Sequence, residues 1–158
     1  MEKELKSTAL KEQLNQNKAV AIVPTGNSMW PTLKSRSQTV VVQKNQTRAR
    51  EFDVVLFVLD DGRHVLHRVM RVENDGYITC GDGMLTCERV EEARVIGVMT
   101  GLYKKNKFIS VNEPKYVNKV KHFYKRKLLR KARLKCFYFR QVFKAKFKML
   151  FRKGDKNV

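Results

Sequence analysis

The sequence predicts a mainly β body, with a short helix before it and a basic amphipathic helix after it. Short runs rich in Val and Ile recur from Ala19 to Met99, and Asp-Gly pairs punctuate them. Beyond Pro114 the pattern changes to apolar residues at helical spacing among Lys and Arg. With 158 residues, 42% of them hydrophobic, the chain can build one real core plus an appendage and is too apolar for wholesale disorder. The expected segments are an N-terminal helix over 1–17, a β domain over 18–113 and a helical tail over 114–158.

Each element follows from its local pattern. Leu5, Ala9, Leu10 and Leu14 lie at helical spacings among Lys, Glu and Gln, which predicts one short amphipathic helix over residues 2–16. AVAIV (19–23) is short, apolar and β-branched, and Pro24-Thr25-Gly26-Asn27 interrupts it with turn chemistry. TVVVQ (39–43), DVVLFVL (53–59), HVLHRVMRV (64–72), YITC (77–80) and RVIGVM (94–99) then read as strands. Asp60-Asp61-Gly62 and Glu73-Asn74-Asp75-Gly76 supply residues that tolerate φ > 0 and are expected to close two successive hairpins. A further hairpin is expected near Lys104 to Lys107.

Charge divides the chain. Residues 1–114 hold 17 basic and 14 acidic side chains, whereas residues 115–158 hold 17 basic residues and only Asp155. In this tail Val120, Tyr124, Leu128, Ala132, Cys136, Phe139, Phe143, Phe147 and Leu150 form an apolar stripe opposite the cations, as in a helix lying in a membrane interface. An anionic membrane surface is therefore the expected partner of residues 115–158, with docking of the stripe onto the β body, or nucleic-acid or peptide binding, as the alternatives. No zinc-finger, homeodomain, KH or RRM signature is present, so no specific nucleic acid is expected. No window of about 20 residues is free of charge, and the first residues lack an apolar signal core. The expected location is cytoplasmic, or peripheral at the inner face of the membrane. Cys80, Cys87 and Cys136 match no metal-ligand or redox spacing and read as free thiols.

Ser28 sits in a loop between strands, bounded by Gly26 and Pro31, and His67 interrupts an otherwise apolar strand. His64 and His67 differ by an odd number and should point to opposite faces of one strand, so no metal site is expected. Cys80 has no dedicated base in the sequence and does not read as a nucleophile.

TGNSMWPTL, TVVV, FDVVLF, VLHRVMRV, YITCGD and ARVIGVM, in that order, resemble the catalytic core of type I signal peptidases. The likeness is closest to the Ser-His branch typified by the endoplasmic reticulum enzyme and to small soluble bacterial relatives, over about residues 18 to 103. It implies the β fold shared with SOS-repressor proteases, no cofactor, and endopeptidase cleavage of leader or signal peptides after small residues. Carried over, Ser28 would be the nucleophile and His67 the general base, a pairing that suits an imidazole titrating near neutral pH. Lysine, the alternative base in the wider superfamily, is absent between Lys44 and Lys104.

The resemblance offers two acids, Asp82 in the GD motif and Glu88 after it. Either could orient His67, with the family pattern favouring Glu88 and leaving Asp82 as a structural or assisting acid. The Ser28 backbone N–H would serve the oxyanion, with Thr25 or Asn27 as second donor, and Met29 and Trp30 would flank the nucleophile as an apolar rim or as core. Three positions depart from the family pattern. Gly26 stands where a hydroxyl residue is common, Arg36-Ser37 where Gly-Asp is usual, and Phe52 where a Gly precedes the Asp. These departures leave two other classes open: an inert member of the fold that binds leader peptides, and a module whose basic tail binds anionic membrane or nucleic acid.

Overall fold

A computed structural model describes residues 2–45, 47–126, 137 and 139, with side chains described from Leu10 onward. Helix α1 (Glu2–Asn17) leads into β1 (Ala19–Ile22), β2 (Thr39–Gln43), β3 (Val54–Val58), β4 (His64–Glu73) and β5 (Gly76–Cys80). There follow β6 (Cys87–Glu91), a single 3-10 turn at Glu92–Arg94, β7 (Val95–Lys104), β8 (Lys107–Ser110) and α2 (Pro114–Lys125). Among the described residues the eight strands form one antiparallel sheet in the order β1-β2-β7-β3-β4-β5-β6, with β8 also on β7. The mainly β expectation is met.

Two compact units divide the chain, residues 1–120 and residues 121–158. In the first, β3 is buried along most of its length and its alternate side chains feed two cores. Val54 and Leu56 join Leu14 of α1, Met29, Leu33, Val40, Val42, Leu66, Met99 and Leu102. Val55 and Phe57 join Ala49, Val69, Tyr77 and Val90. Period-2 alternation thus places apolar side chains on both faces of a central strand. α1 ends at Lys18, whose φ of 58° is the left-handed C-terminal stop more often taken by Gly.

The hairpins form where expected, by different means. Gly62 has φ 76° between β3 and β4, as the Asp-Gly reading requires. Gly76 does not have positive φ; a Cβ there would collide with the Val90 carbonyl oxygen, so close approach of β6 is what its small size permits. Between β7 and β8, Lys105 and Asn106 both take left-handed φ, the requirement of a two-residue hairpin loop. Two corrections concern strands. β6, CERVE, escapes the sequence reading because it is an edge strand with a charged alternate set, and β7 continues five residues past Met99 to Lys104. In α2 Val120 and Tyr124 are buried, and Phe139 is exposed; the rest of the expected stripe, Leu128, Ala132, Cys136, Phe143, Phe147 and Leu150, lies outside the described residues. Among the described residues no helix is long and apolar enough to cross a membrane.

Candidate active site

The Ser28 loop is anchored from below. Met29, next in sequence, is 3% exposed and packs in the α1-side core, and its carbonyl accepts the N–H groups of Thr32 (3.1 Å) and Leu33 (3.0 Å). Met29 is therefore core as well as cavity wall. Trp30, half-buried after it, follows a turn in which its N–H donates to the Asn27 carbonyl at 3.0 Å, and the Trp30-Pro31 peptide is cis.

The GD segment lies directly on this loop. The Gly83 N–H donates to the Ser28 carbonyl at 2.6 Å. A Cβ on Gly81 would come within 2.7 Å of that same oxygen, and one on Gly83 within 2.8 Å of the Trp30 carbonyl, so both glycines are needed for the close approach. Asp82 between them is fully buried. Arg68 of β4 grips it with Nη2 to Oδ2 at 2.7 Å and Nε to Oδ1 at 3.0 Å, while Arg68 Nη1 donates to the Phe52 carbonyl at 2.8 Å. Thr32 Oγ1 donates to Asp82 Oδ2 from the serine loop. One ion pair thereby joins β4, the serine loop and the segment before β3. The Asp82 carboxylate is committed to this network, and no bond joins it to His67 among the described residues.

Glu88 takes the other position. His67 Nδ1 lies 2.5 Å from Glu88 Oε1, with the imidazole side chain 8% and the carboxylate side chain 40% exposed. The His67 ring packs edge-on against Phe57, at 5.8 Å between centroids. Strand pairing explains the meeting: Thr79 pairs with Val69 on one side and Glu88 on the other, so Glu88 shares a face with Val69 and, two residues earlier, His67.

Ser28, His67 and Glu88 border one cavity of about 570 Å³, with Met84, Leu33, Leu56 and Leu66 in its apolar wall. Thr25 and Gly26 also border it, whereas Asn27 is exposed and, like Trp30, is not part of its wall; Thr25 is thus the better placed of the two residues expected to supply a second donor. Among the described residues no direct hydrogen bond joins Ser28 to His67. The cavity runs along an open strand edge. β4 pairs with β3 from His64 onward but with β5 only from Arg68 onward, so His64 to His67 carry ladder partners on one side only.

His64 and His67 both border this cavity, yet their odd separation sets their side chains on opposite faces of β4. Leu66 and the parity of His64 face the α1-side core, while His67 faces Phe57. His64 is held below its ordinary value near 6.5, first by burial and then by the nearby Lys11 ammonium, which favours neutral imidazole. Among the described residues no group of three or more His, Cys, Asp or Glu is arranged to hold a metal ion. Cys80 Sγ is buried against the Met84 and Thr86 carbonyls, and Cys87 is exposed and free.

Arg36 and Phe52, two positions where the sequence resemblance led to an expectation of glycine, have φ of 56° and 72°. Both take the left-handed conformation without being the residue that adopts it most easily. Arg68 is the site residue that sequence reasoning missed, because a cation in a strand reads as solvent-facing; the signal available was its place beside His67 with an acid in the GD segment. No protein-family model matches the chain, and no curated protein matches it.

Proposed function

We propose that the chain is a serine endopeptidase of signal-peptidase type, with Ser28 as nucleophile, His67 as acid and base, and Glu88 orienting His67. The observation that carries this reading is the His67–Glu88 hydrogen bond in the wall of a cavity that Ser28 also borders. An imidazole whose Nδ1–H donates to a carboxylate has its lone pair on Nε2, which is the tautomer a general base needs.

In this mechanism Nε2 takes the Ser28 Oγ proton as Oγ bonds to the scissile carbonyl carbon, and the carbonyl π electrons move to oxygen. The Ser28 backbone N–H, with a second donor from Thr25 or Asn27, meets that oxyanion. Collapse expels the amine, which receives the proton from His67. Water then attacks the acyl carbon with His67 again as base, and the adduct collapses by breaking the C–Oγ bond as His67 returns its proton to Ser28 Oγ. Glu88 compensates the imidazolium at both stages. Serine-histidine bonds that are loose without substrate commonly tighten when substrate aligns, so the lack of a direct Ser28–His67 bond is compatible with this role.

The open edge of His64–His67 suits an extended peptide, which would add as a strand and direct alternate side chains into the apolar wall. Leader or signal peptides are the proposed substrates. The basic residues of 115–158 would hold the body near anionic lipid, each cation adding about 1 kcal/mol at the surface. The test is mass-spectrometric digestion of a peptide library containing leader-like sequences by the wild type, Ser28→Ala and His67→Ala, with and without anionic vesicles. New termini from the wild type alone are expected. Silence from a folded wild type would transfer the reading to an inert peptide-binding member of the fold.

A further inference from the structure

Thr79 carries a polar atom that the account above does not use. It is fully buried in β5, and its Oγ1 has no hydrogen-bond partner. A buried hydroxyl left unpaired is destabilising, and valine would fill the same volume with equal strand preference and no such cost. The unpaired hydroxyl points to a partner acquired in the working state.

The ladder identifies the candidate. Thr79 stands opposite Val69 of β4 and opposite Glu88 of β6. Directly opposed residues of an antiparallel pair place their Cβ atoms about 4.5–5.5 Å apart on the same face. Val69 offers nothing polar. Glu88 reaches His67 across β5, on the face that Thr79 shares, and only its Oε1 is bonded to the imidazole. The tyrosine two residues earlier on that face is already engaged, its hydroxyl with the Ala49 N–H and Glu92.

We propose that Thr79 is a positioning residue whose hydroxyl donates to the Glu88 carboxylate, directly or through one water, and holds it against His67 Nδ1. Thr79 acts through Glu88 and touches no substrate. For its effect on rate the inference rests on the peptidase reading; for its effect on the His67–Glu88 bond it does not.

The test compares Thr79→Val, which keeps the volume, with Thr79→Ser, which keeps the hydroxyl, in the full chain. On a peptide that the wild type cleaves, Thr79→Val is expected to lower kcat by about tenfold with KM nearly unchanged, as loss of a hydrogen bond to a charged group implies. Thr79→Ser should recover most of that loss. In a Glu88→Gln background Thr79→Val should add nothing further. The second readout is the His67 Nδ1–H proton resonance. It should lie far downfield in the wild type and Thr79→Ser, and should move upfield or broaden in Thr79→Val. A Thr79→Val protein with wild-type kcat and an unmoved resonance would overturn the proposal and leave Thr79 as packing. If the wild type cleaves no peptide, the peptidase reading fails and the resonance alone still decides the role of Thr79.

Discussion

Two neighbouring residues of β4 meet two different acids. Arg68 and Asp82 form an ion pair with side chains only 1% and 0% exposed, while His67 and Glu88 meet with the carboxylate 40% exposed. The buried pair has every oxygen of its acid committed and ties three segments together. The exposed pair borders the cavity, and its imidazole keeps one nitrogen for other work. Burial therefore separates the two acids: Asp82 ties the serine loop to Arg68, and Glu88 meets His67. A buried ion pair is costly to break because the remaining charge cannot reach water, whereas a half-exposed carboxylate can be replaced with little effect on stability.

The largest expected effect lies on the exposed side. Ser28→Ala and His67→Ala should each lower kcat by about 10⁴-fold or more, and the double variant should be no worse than either single, because the residues act as a unit. Single-turnover kinetics on a cleaved peptide checks this, and additive losses would separate the two residues. On the buried side, Arg68→Met should lower the unfolding free energy by about 3–5 kcal/mol in urea titrations. Arg68→Met with Asp82→Asn should lose less than the sum of the single changes, since neither then strands a charge.

A smaller effect comes from His64, on the face of β4 opposite His67. Its folded-state affinity for protons is lowered by burial and Lys11, so the unfolded chain takes up the proton first as pH falls. Stability should therefore decline as pH drops below about 6.5 and level off below the depressed folded value. His64→Phe should flatten that part of a pH series of unfolding midpoints; an unchanged slope would exclude His64 as its source. The smallest effect tests the left-handed backbone at Arg36. Arg36→Gly removes a left-handed arginine and should gain about 0.5–1 kcal/mol, after subtracting the greater freedom of glycine in the unfolded chain. Calorimetry resolves a gain of that size.

The legible and illegible parts of the sequence divide along the same line. Strands with an apolar alternate set, such as VVLFV and TVVVQ, could be read directly, and so could the Asp-Gly hairpin at Gly62. CERVE could not, because an edge strand buries only Val90 and Glu88 partly and leaves Cys87, Arg89 and Glu91 in water. Ser28 and His67 could be picked out through the ordered motifs, and the family resemblance favoured Glu88 over Asp82 as the acid beside His67, but the geometry behind that choice could not be read. That choice depends on the β5–β6 register, which sets Glu88 opposite Thr79, and on Arg68 capturing Asp82 across 14 residues of chain. Asn27 and Trp30 could be read as loop neighbours of Ser28, but the turn directs them away from the cavity wall.

The division of labour between the acids is tested most directly by measuring kcat per folded molecule and unfolding free energy on the same preparations of Glu88→Gln and Asp82→Asn. Glu88→Gln should lose about 10²–10⁴-fold in kcat and keep its stability within about 1 kcal/mol. Asp82→Asn should lose about 3 kcal/mol of stability, while its folded fraction keeps kcat within about tenfold of the wild type. Parallel losses in both quantities for both variants, or a stable and active Glu88→Gln, would contradict the account.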